Sequence, residues 1–582
     1  INNISEFFEE NQLADMLNMT YDHDGTLKRR PGYSYVNGFE AEKAPIGEDS
    51  ATFFDYFEPY QGEPIPIASS YSRFTWRMGK EWHYRSVRLF DGLNYKGMYL
   101  FFRADGVYAL IKNSTITAGT YVTIEGKKRT DEFSIFKVIS PNAYTPLDKS
   151  HQKGVTHYHY DNLSVEYRPC QNELDDPYKG KNVVPEKLRY AEQLKGRIYA
   201  TAEGGEDDDT IYVSDTGNAF YFPPGMGLAL PANSDKIIGL YSFDDGVVVF
   251  RHYDIHMVRG TTNNPTLNMP LFSIEELNTS TGMFAPRLAN RARTYLFFVG
   301  SDGKAYALAS TNKDDKRINT QLLSKTVSLF DEPFNLPKTP DEQHNYSCLF
   351  DDDKYYIFYG GKAIVYDFNY MCWYRYEGLP IGHGARHADN TLHLISTQGH
   401  VFRFDEKVAT DIGAPFRSYF KTGRIDLGQA FNQKVFKHSH LVSESYNDMV
   451  CGKLTYVFDD VAKVESTLYK HNQGTFDKSN YGESYFDYSN RVVSERIPLN
   501  RRAYRLQIEF EIGTPITARF DYPMELQNRL ANYEEGSLFY LVVEHVVYQK
   551  KGNEIVVYDV KDGYEPAKIY QFDLEYELRG RK

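Results

Sequence analysis

The sequence predicts an all-β protein: a β-propeller of about six blades with an inserted β domain and a C-terminal β-sandwich. The first observation is a recurring unit of an apolar strand, a turn with glycine and a second aromatic strand, as in residues 99–111 and 295–308. The second is an aromatic content of 15%, which is high even for a β protein. The third is the spacing of the later units, roughly 40–55 residues, which is the length of a four-stranded blade.

The recurring unit has the pattern of a β-hairpin. Its glycines fall where hairpin turns need a positive φ, which glycine adopts without a Cβ penalty. Its flanks are rich in Val, Ile, Tyr and Phe, which favour strands. Six segments carry the pattern: residues 53–114, 187–222, 236–260, 281–310, 343–378 and 381–406. A ring of such units buries the faces of each unit on its neighbours, as in a propeller.

The chain divides into four parts on this interpretation. Residues 1–50 are an N-terminal arm, and residues 51–114 and 187–410 form the propeller. Residues 115–186 are too long for a connection between blades and contain strand-like stretches, so they are predicted to be an inserted β domain. After the propeller the hairpin repeat stops and longer alternating strands follow, which predicts a β-sandwich region over residues 411–582.

Composition and charge restrict the classes of function. The formal net charge of −13 disfavours tight binding of nucleic acid, because neutralisation of phosphates by Lys and Arg dominates that affinity. No stretch approaches the ~20 apolar residues of a membrane helix, and the first residues lack the pattern of a signal peptide, so no membrane insertion is expected. The 4 cysteines are scattered and are interpreted as unpaired thiols of a protein assembled in a reducing cytoplasm.

Patterns for catalysis and metal binding are weak. His157 and His159 lie two residues apart on a predicted strand, but no third ligand with zinc spacing is visible. No G-x-S-x-G elbow, Walker loop or G-x-G-x-x-G phrase is present. We therefore expect no enzyme, no cofactor and no metal site. Propeller enzymes assemble paired carboxylates from distant blades, so a binding or hydrolytic propeller that acts on host-surface polysaccharide is the alternative.

Two acidic clusters lie between predicted strands. They are Glu206, Asp207, Asp208 and Asp209 in "GGEDDDT", and Asp351, Asp352 and Asp353 in "FDDDKYY". Carboxylates are ligands that hard cations prefer. Charged turns between strands are also ordinary solvated loops, and this second interpretation is the one that we adopt for metal binding.

Residues 13–36, "LADMLNMTYDHDGTLKRRPGYSYV", are the most informative stretch. They contain an asparagine, a polar turn and the basic cluster Lys28, Arg29 and Arg30, which Pro31 holds in an extended path. The phrase resembles the opening of the tail nozzle proteins of short-tailed bacteriophages. Further segments resemble other parts of the same proteins: residues 170–201 the return to the propeller, residues 239–260 a blade, and residues 420–444 the exit into the C-terminal sandwich.

The resemblance implies a structural protein of the virion tail, assembled in the host bacterial cytoplasm. Six copies would surround a channel below the portal and the head–tail adaptor, and this channel would retain and then conduct the genome. The implied partners are other copies of the chain in a hexameric ring, the portal and adaptor, tail fibres or other tail proteins, and double-stranded DNA that passes transiently.

The resemblance also gives candidate roles to the charged clusters. Glu206 to Asp209 and Asp351 to Asp353 become candidates for lining or gating the channel, because an acidic bore repels the duplex. They can equally lie outside it. Lys28, Arg29 and Arg30 are expected to make assembly contacts, with a neighbouring acidic subunit or the propeller's own acidic turns as the partner. A surface arm is the alternative for this cluster.

Overall fold

In the computed structural model the protein is described over residues 13–36, 51–112, 185–444, 452–468 and 492–512, with short gaps inside these ranges, and over nine separate strand segments. Those segments are residues 121–123, 133–137, 156–160, 163–167, 516–517, 538–541, 546–551, 554–558 and 568–578. Among all these residues the regular elements are strands, which confirms the predicted all-β class. The same residues contain no helix of the length and apolarity that crossing a membrane requires.

Four strands precede the first large sheet: β1 (Leu13–Leu17), β2 (Met19–Tyr21), β3 (Leu27–Arg29) and β4 (Gly32–Tyr35). Sheet 1 consists of β5 (Ala51–Phe57), β6 (Ile65–Ser70), β7 (Phe74–Met78) and β8 (Glu81–Arg85). Sheet 2 consists of β9 (Leu89–Tyr95), β10 (Met98–Arg103), β11 (Gly106–Lys112) and β13 (Phe133–Lys137). The strands β12 (Tyr121–Thr123), β14 (Thr156–Tyr160) and β15 (Leu163–Tyr167) form a separate three-stranded sheet.

Five more sheets follow, and four of them have four strands. Sheet 3 is β16 (Leu188–Leu194), β17 (Arg197–Ala202), β18 (Thr210–Val213) and β19 (Gly227–Ala229). Sheet 4 is β20 (Gly239–Phe243), β21 (Gly246–Phe250), β22 (Ile255–Arg259) and β25 (Ser273–Glu276). The connection between β22 and β25 contains a separate short pair, β23 (Asn263–Asn264) and β24 (Met269–Pro270). Sheet 5 is β26 (Ala289–Ala292), β27 (Tyr295–Val299), β28 (Ala305–Ser310) and β29 (Ile318–Leu322).

Sheet 6 begins with β30 (Ser347–Asp351), β31 (Lys354–Tyr359), β32 (Lys362–Asp367) and β33 (Cys372–Glu377). Sheet 7 is β34 (Ile381–Arg386), β35 (Leu392–Ser396), β36 (Val401–Asp405) and, from the other end of the chain, β4. The first strand of each sheet contacts the first strand of the next sheet, from β5 through β9, β16, β20, β26 and β30 to β34. Strand β34 in turn contacts β5, so every one of these sheets has two neighbouring sheets.

The second strand of a sheet carries the longest buried apolar run. All residues of Gly246–Phe250 in β21 are buried, and so are all but the first of Tyr295–Val299 in β27. A strand becomes continuously apolar when both of its faces are covered, and here the neighbouring sheets cover them. The predicted hairpins join these second strands to the third strands, where Gly106 and Gly303 have φ values of 128° and 73°.

The hairpin pattern did not separate sheet 1 from sheet 2. The pattern predicts one unit over residues 53–114, whereas these residues contribute to both sheets. The short connection between the second and third strands of sheet 1, residues 71–73, contains no glycine, so the turn signal is missing there. Within the predicted insertion, Phe133–Lys137 pairs with β11 as the outer strand of sheet 2.

The described residues of the C-terminal part contain eleven strands. They are β37 (Ser418–Thr422), β38 (Lys434–Glu444), β39 (Gly452–Phe458), β40 (Ala462–Leu468), β41 (Val492–Ala503), β42 (Leu506–Ile512), β43 (Ile516–Thr517), β44 (Leu538–Leu541), β45 (Val546–Lys551), β46 (Glu554–Tyr558) and β47 (Lys568–Leu578). Sheet 6 is extended to nine strands by β1, β37, β42, β39 and β40. A separate five-stranded sheet contains β2, β3, β47, β38 and β41. Strands β43 to β46 form a further small sheet.

The N-terminal strands join the two halves of the protein. Strand β4 pairs with β36, with Tyr35 opposite Phe402. Strand β1 lies between β33 and β37, parallel to the first and antiparallel to the second. Buried side chains of both C-terminal sheets, such as Phe436 and Phe510, belong to one hydrophobic cluster that also contains Met16 and Met19 from the N-terminal strands.

We expect Gly92→Ala to destabilise the protein by about 1–3 kcal/mol, the usual cost of overpacking a filled site. A Cβ atom on Gly92 would overlap the ring and hydroxyl of Tyr99, whose hydroxyl donates a hydrogen bond to Asp55 Oδ2 over 2.7 Å. Denaturant unfolding of the variant measures the loss. Gly227→Ala is the matched control, because its Cβ would meet only Thr210 Cγ2 at 3.4 Å; equal losses in the two variants would contradict the explanation.

Candidate functional site

The basic cluster of the N-terminal segment lies inside the protein. Arg29 and Arg30 are buried, with exposed fractions of 1% and 0%, and Lys28 is buried beside them. Lys28 and Arg29 belong to β3, which pairs with β2 on one side and β47 on the other. Lys28 and Arg29 are therefore part of the five-stranded sheet that also contains the C-terminal strands β47, β38 and β41.

Arg30 is held by ionic and aromatic contacts. Its guanidinium makes two hydrogen bonds with the Asp411 carboxylate, from Nη1 to Oδ1 over 2.8 Å and from Nη2 to Oδ2 over 2.5 Å. The Nε atom donates to Asn18 Oδ1 over 3.0 Å, and the guanidinium carbon lies 3.8 Å from the ring centroid of Phe416. Such a two-bond contact between Arg and a carboxylate fixes the orientation as well as the position of both groups.

Asn18 extends this network to sheet 6. Its side-chain oxygen also accepts a hydrogen bond from the backbone of Glu377 over 2.9 Å, and its Nδ2 donates to the carbonyl of Arg417 over 2.7 Å. Asn18 has a φ of 53°, a left-handed conformation that asparagine tolerates better than most residues. The asparagine and the second arginine of the phrase quoted above thus form one buried network.

Lys28 and Arg29 also find partners within the chain. Lys28 Nζ lies 2.9 Å from Glu406 Oε2 and 3.3 Å from Asp22 Oδ1. Arg29 Nη2 donates to the carbonyl of Phe416 over 3.0 Å. The acidic partners of the cluster among the described residues are Asp22, Glu406 and Asp411 of the same chain. Because the three basic side chains are buried, they do not form an exposed arm. A role of these residues in contacts between copies stays a prediction.

The acidic turn of sheet 6 lies beside the turns of its neighbours. Asp351 accepts a hydrogen bond from Arg386 Nη2 of sheet 7 over 2.7 Å, and Asp353 forms an ion pair with Arg293 of sheet 5. Asp352, at the tip of the turn, is exposed and lies 3.6 Å from Lys354 Nζ. The first turns of three consecutive sheets are therefore adjacent.

Asp209 contacts a different sheet. Its Oδ1 accepts a hydrogen bond from Nη2 of the buried Arg251 over 2.7 Å, which ties the start of β18 to sheet 4. Glu206, Asp207 and Asp208 lie outside the residues that the structure describes. A position of either acidic cluster in a channel stays a prediction.

A third group of charged residues was not predicted from the sequence. It consists of Asp55 in β5, Asp91 in β9, Glu192 in β16, Arg287 just before β26, and His383 in β34, and we call it the first-strand cluster. All five side chains are half-buried. Hydrogen bonds join its members to neighbouring sheets: Tyr99 of sheet 2 donates to Asp55 of sheet 1 over 2.7 Å, and the Ala191 backbone of sheet 3 donates to Asp91 over 3.1 Å.

Arg287 connects sheets that are not neighbours. From its position before sheet 5, its Nη2 donates a hydrogen bond to the Phe90 carbonyl of sheet 2. Its guanidinium carbon also lies 4.7 Å from the ring centroid of Phe53 in sheet 1. Both contacts require that the first strands of sheets 1, 2 and 5 face a common space.

Burial shifts the protonation equilibria of this cluster. Desolvation raises the pKa of Asp55 to about 6, although the hydrogen bond from Tyr99 opposes the shift. Desolvation also raises the pKa of Asp91 to about 6, against the charge of Arg287. Desolvation also raises the pKa of Glu192 to about 7. For His383, desolvation and then the charge of Arg287 lower the pKa to about 3, so the imidazole is neutral at physiological pH.

Carboxyl groups with pKa values near 6 to 7 can donate or accept protons at neutral pH, which is the property of general acids and bases. Perturbed pKa values also occur in structural networks. Over the described part of the chain, no group of three or more His, Cys, Asp or Glu side chains is arranged to hold a metal ion. A weak sequence signal was available, since each acid interrupts an apolar stretch, as Asp55 does in "FFDYF".

No protein-family model and no curated protein matches the sequence. Two solved structures to which the chain is similar are Raptor from Chaetomium thermophilum and Hsv2 from Kluyveromyces lactis. The first is 9% identical over 65% of this chain and 29% of the Raptor chain, with a TM-score of 0.31. The second is 11% identical over 57% of this chain and 99% of the other, with a TM-score of 0.26. At such TM-scores neither similarity supports an argument about fold or function.

We expect Asp411→Asn to destabilise the protein by about 3–5 kcal/mol, because it leaves the buried Arg30 charge without its counterion. Denaturant unfolding measures the change. The control is Glu465→Gln, which breaks the exposed ion pair with Lys453 and is expected to cost at most about 1 kcal/mol. Similar small losses in both variants would show that the buried pair does not hold the N-terminal segment.

The first-strand cluster predicts an unusual pH dependence of stability. A carboxyl group whose pKa is raised by folding binds a proton more tightly in the folded state, so its contribution to stability falls as the pH rises through that pKa. For Glu192 the fall covers the range from its unfolded pKa of about 4 to the folded value of about 7. We expect Glu192→Gln to become more stable relative to wild type as the pH rises across this range, measured by unfolding at several pH values. A constant difference would contradict the shifted pKa.

Proposed function

We propose that sheets 1 to 7 form a seven-bladed β-propeller, with their first strands around the axis. The contacts of successive first strands, including the contact of β34 with β5, support this arrangement. So does Arg287, which reaches from sheet 5 to sheet 2. The outer strand of sheet 7 comes from β4, so the chain closes the ring with strands from two distant segments. The count exceeds the expected six because residues 51–137 supply two sheets.

We propose that the two C-terminal sheets form the predicted β-sandwich. Their shared hydrophobic cluster supports this, and β1, β2 and β3 complete the two sheets from the N-terminal side. The proposed inserted β domain is the three-stranded sheet of β12, β14 and β15. It does not include β13, which pairs with β11 in sheet 2.

We infer that the protein is a structural component of a bacteriophage virion tail, a nozzle that retains and then conducts the genome. The observation that carries this proposal is the buried network of Asn18, Arg30 and Asp411. Asn18 and Arg30 belong to the segment that resembles tail nozzle proteins. They contact Glu377 of sheet 6 and Asp411, where sheet 6 meets the C-terminal strands. Strand β1 of the same segment pairs with β37. The end of β37 overlaps residues 420–444, a second segment that resembles the tail nozzle proteins.

The proposed conduit lies between copies of the chain. The axis of each propeller holds the side chains of the first-strand cluster, including the Arg287 guanidinium that crosses it. Six copies with a net charge of −13 each would surround a separate channel with acidic surface, which lets a duplex slide because it offers few phosphate contacts. The proposed partners are the portal, the head–tail adaptor and other tail proteins.

We expect the purified full chain to form a closed ring with a mass about six times the 67.3 kDa of one chain, since closed cyclic symmetry is the rule for such assemblies. Native mass spectrometry measures the copy number, and electron microscopy of the same sample shows whether an axial channel is present. A protein that stays monomeric at micromolar concentration, or an assembly without an axial channel, would contradict the nozzle.

One alternative function is a propeller that hydrolyses host-surface polysaccharide, and Asp55, Asp91 and Glu192 are the residues to test for it, because their raised pKa values are ones that a general acid can use. Glycoside hydrolysis uses a protonated carboxyl group beside a carboxylate. A monomer that releases reducing sugar from host cell-wall material, and loses this activity in Glu192→Gln while keeping its fold, would support the alternative over the nozzle.

A further inference from the structure

The five-stranded C-terminal sheet presents a strand edge on each side. Strand β41 is the last strand of this sheet, and among the described residues it pairs with β38 alone. Strand β47 pairs with β38 along its length, but on its other side β3 reaches only Lys568 and Ile569. In the part of the chain that the structure describes, residues 570–578 of β47 therefore have no strand beside them. Edges of this length are templates on which another strand can pair.

The outer faces of these two edge strands carry opposite charges. On β41, Arg496 and Arg502 are exposed. On β47, Asp573, Glu575 and Glu577 are exposed. The described side chains of β41 include no acidic group, and those of β47 include no basic group. One edge of the sheet is therefore basic and the other is acidic.

Ion pairs within the chain leave much of this charge in solvent. Arg496 Nη2 lies 3.4 Å from Glu575 Oε2 across β38, and Lys437 forms an ion pair with Glu577. The side chains of Arg496 and Glu577 are nevertheless 56% and 61% exposed. Ion pairs as exposed as these contribute at most about 1 kcal/mol. Each edge can therefore receive further charge of the opposite sign.

Strand β38 fixes the register of the two edge strands relative to each other. Arg502 and Glu577 lie opposite the same residue of β38, and so do Arg496 and Asp573. If the sheet of a second copy continues the first in this register, Arg502 of one copy lies beside Glu577 of the next, and Arg496 beside Asp573. A shift of two residues keeps the same faces together, because side-chain orientation alternates with a period of two.

The inner faces match in the same register. Arg501 and Tyr576 both lie opposite Phe436, so between copies they meet as a cation and an aromatic ring, which attract each other. Tyr576 is 36% exposed in the single chain, and the contact covers it. Ile497 and Leu574 also share one register position and meet as two apolar side chains.

Two features of β41 limit pairing with other strands. Pro498 has no N–H group to donate to a neighbour, and the register against β38 shifts beside Asn500, whose φ is 46°. Proline and irregular register protect strand edges from nonspecific association. They divide the ladder between copies into two short parts, residues 494–497 and 501–503. The charged side chains therefore supply much of the specificity.

Like charges disfavour the symmetric contacts. Pairing of β47 with a second β47 places an acidic row beside an acidic row, and pairing of β41 with a second β41 places arginines beside arginines. Like charges directly opposite each other destabilise a strand pair. The contact that the charges favour is the one between the two different edges.

We propose that β41 of one copy pairs with β47 of the next copy as a parallel strand. Both strands run antiparallel to β38, and rotation about a ring axis preserves their common direction. Two different edges meet in this contact, so repetition produces a ring when the rotation closes. The proposal rests on the nozzle function above, and it names the contact that holds the ring together.

The test reverses the charges of each edge in the full chain. One variant carries Arg496→Glu and Arg502→Glu, and the other carries Asp573→Lys and Glu577→Lys. We expect each variant alone to raise the protein concentration at which the ring dissociates by about 10-fold or more, because each reversal replaces an attraction between strands by a repulsion. Analytical ultracentrifugation measures the dissociation, and unfolding transitions establish that the fold is intact.

An equimolar mixture of the two variants gives the sharpest result. The acidic β41 of the first variant then meets the basic β47 of the second, and the basic β41 of the second meets the acidic β47 of the first. Every contact of an alternating ring is attractive again, and a ring of six copies permits such alternation. We expect the mixture to form rings at the concentration at which wild type forms them.

The matched control is Lys325→Glu combined with Lys338→Glu. It changes the net charge by the same amount as the first variant, at two exposed lysines that follow sheet 5, and it is expected to dissociate like wild type. If a double variant fails to fold, the single reversals Arg502→Glu and Glu577→Lys and their mixture give the same test.

The outcomes separate the two proposals. A wild-type chain that forms no ring contradicts the nozzle itself. A wild-type ring that persists unchanged in both edge variants overturns the strand contact and leaves the nozzle in place. The strand contact is also overturned by an equal loss in the control, or by a mixture of the two variants that stays dissociated.

Discussion

The buried contact between Arg30 and Asp411 is the interaction on which the rest of the architecture depends. Removing two charges from water is costly, and the cost is recovered only when geometry and further hydrogen bonds are favourable. Both hydrogen bonds of the guanidinium, the Asn18 side chain and the Phe416 ring meet this requirement. The contact fixes a segment whose strands belong to three different sheets. The sheets of the first 410 residues and those of the C-terminal part are thereby held as one structure.

The first-strand cluster gives a different kind of constraint. Its carboxyl groups and Arg287 occupy the space that the first strands share, and their pKa values reflect desolvation more than specific chemistry. A structural explanation is therefore sufficient for the cluster, since backbone and tyrosine groups satisfy the carboxylates. A hydrolytic enzyme would use the same protonation equilibria. The alternative function, hydrolysis of polysaccharide, is therefore to be tested at these carboxyl groups.

The sequence was informative wherever the signal is local. The hairpins around Gly106 and Gly303 were predicted because a turn glycine and apolar flanks are properties of neighbouring residues. Sheet 1 lacks that turn signal and was merged with sheet 2. The burial of Arg30 could not be predicted, because basic residues are rarely buried unless paired and its counterion lies 381 positions away. Arg287 was missed for a similar reason, since its partners are in two other sheets.

The position of β4 in sheet 7 has a consequence for synthesis on the ribosome. Tyr35 pairs with Phe402, so the early strand must wait for its partner while the intervening residues are made. At about 5–20 residues per second this interval is roughly 20–75 s. One edge of strand β3 waits longer, because its partner on that side, β47, begins at Lys568. During that interval the nascent chain carries unpaired edges of β3 and β4, and unpaired strand edges are sites at which chains aggregate.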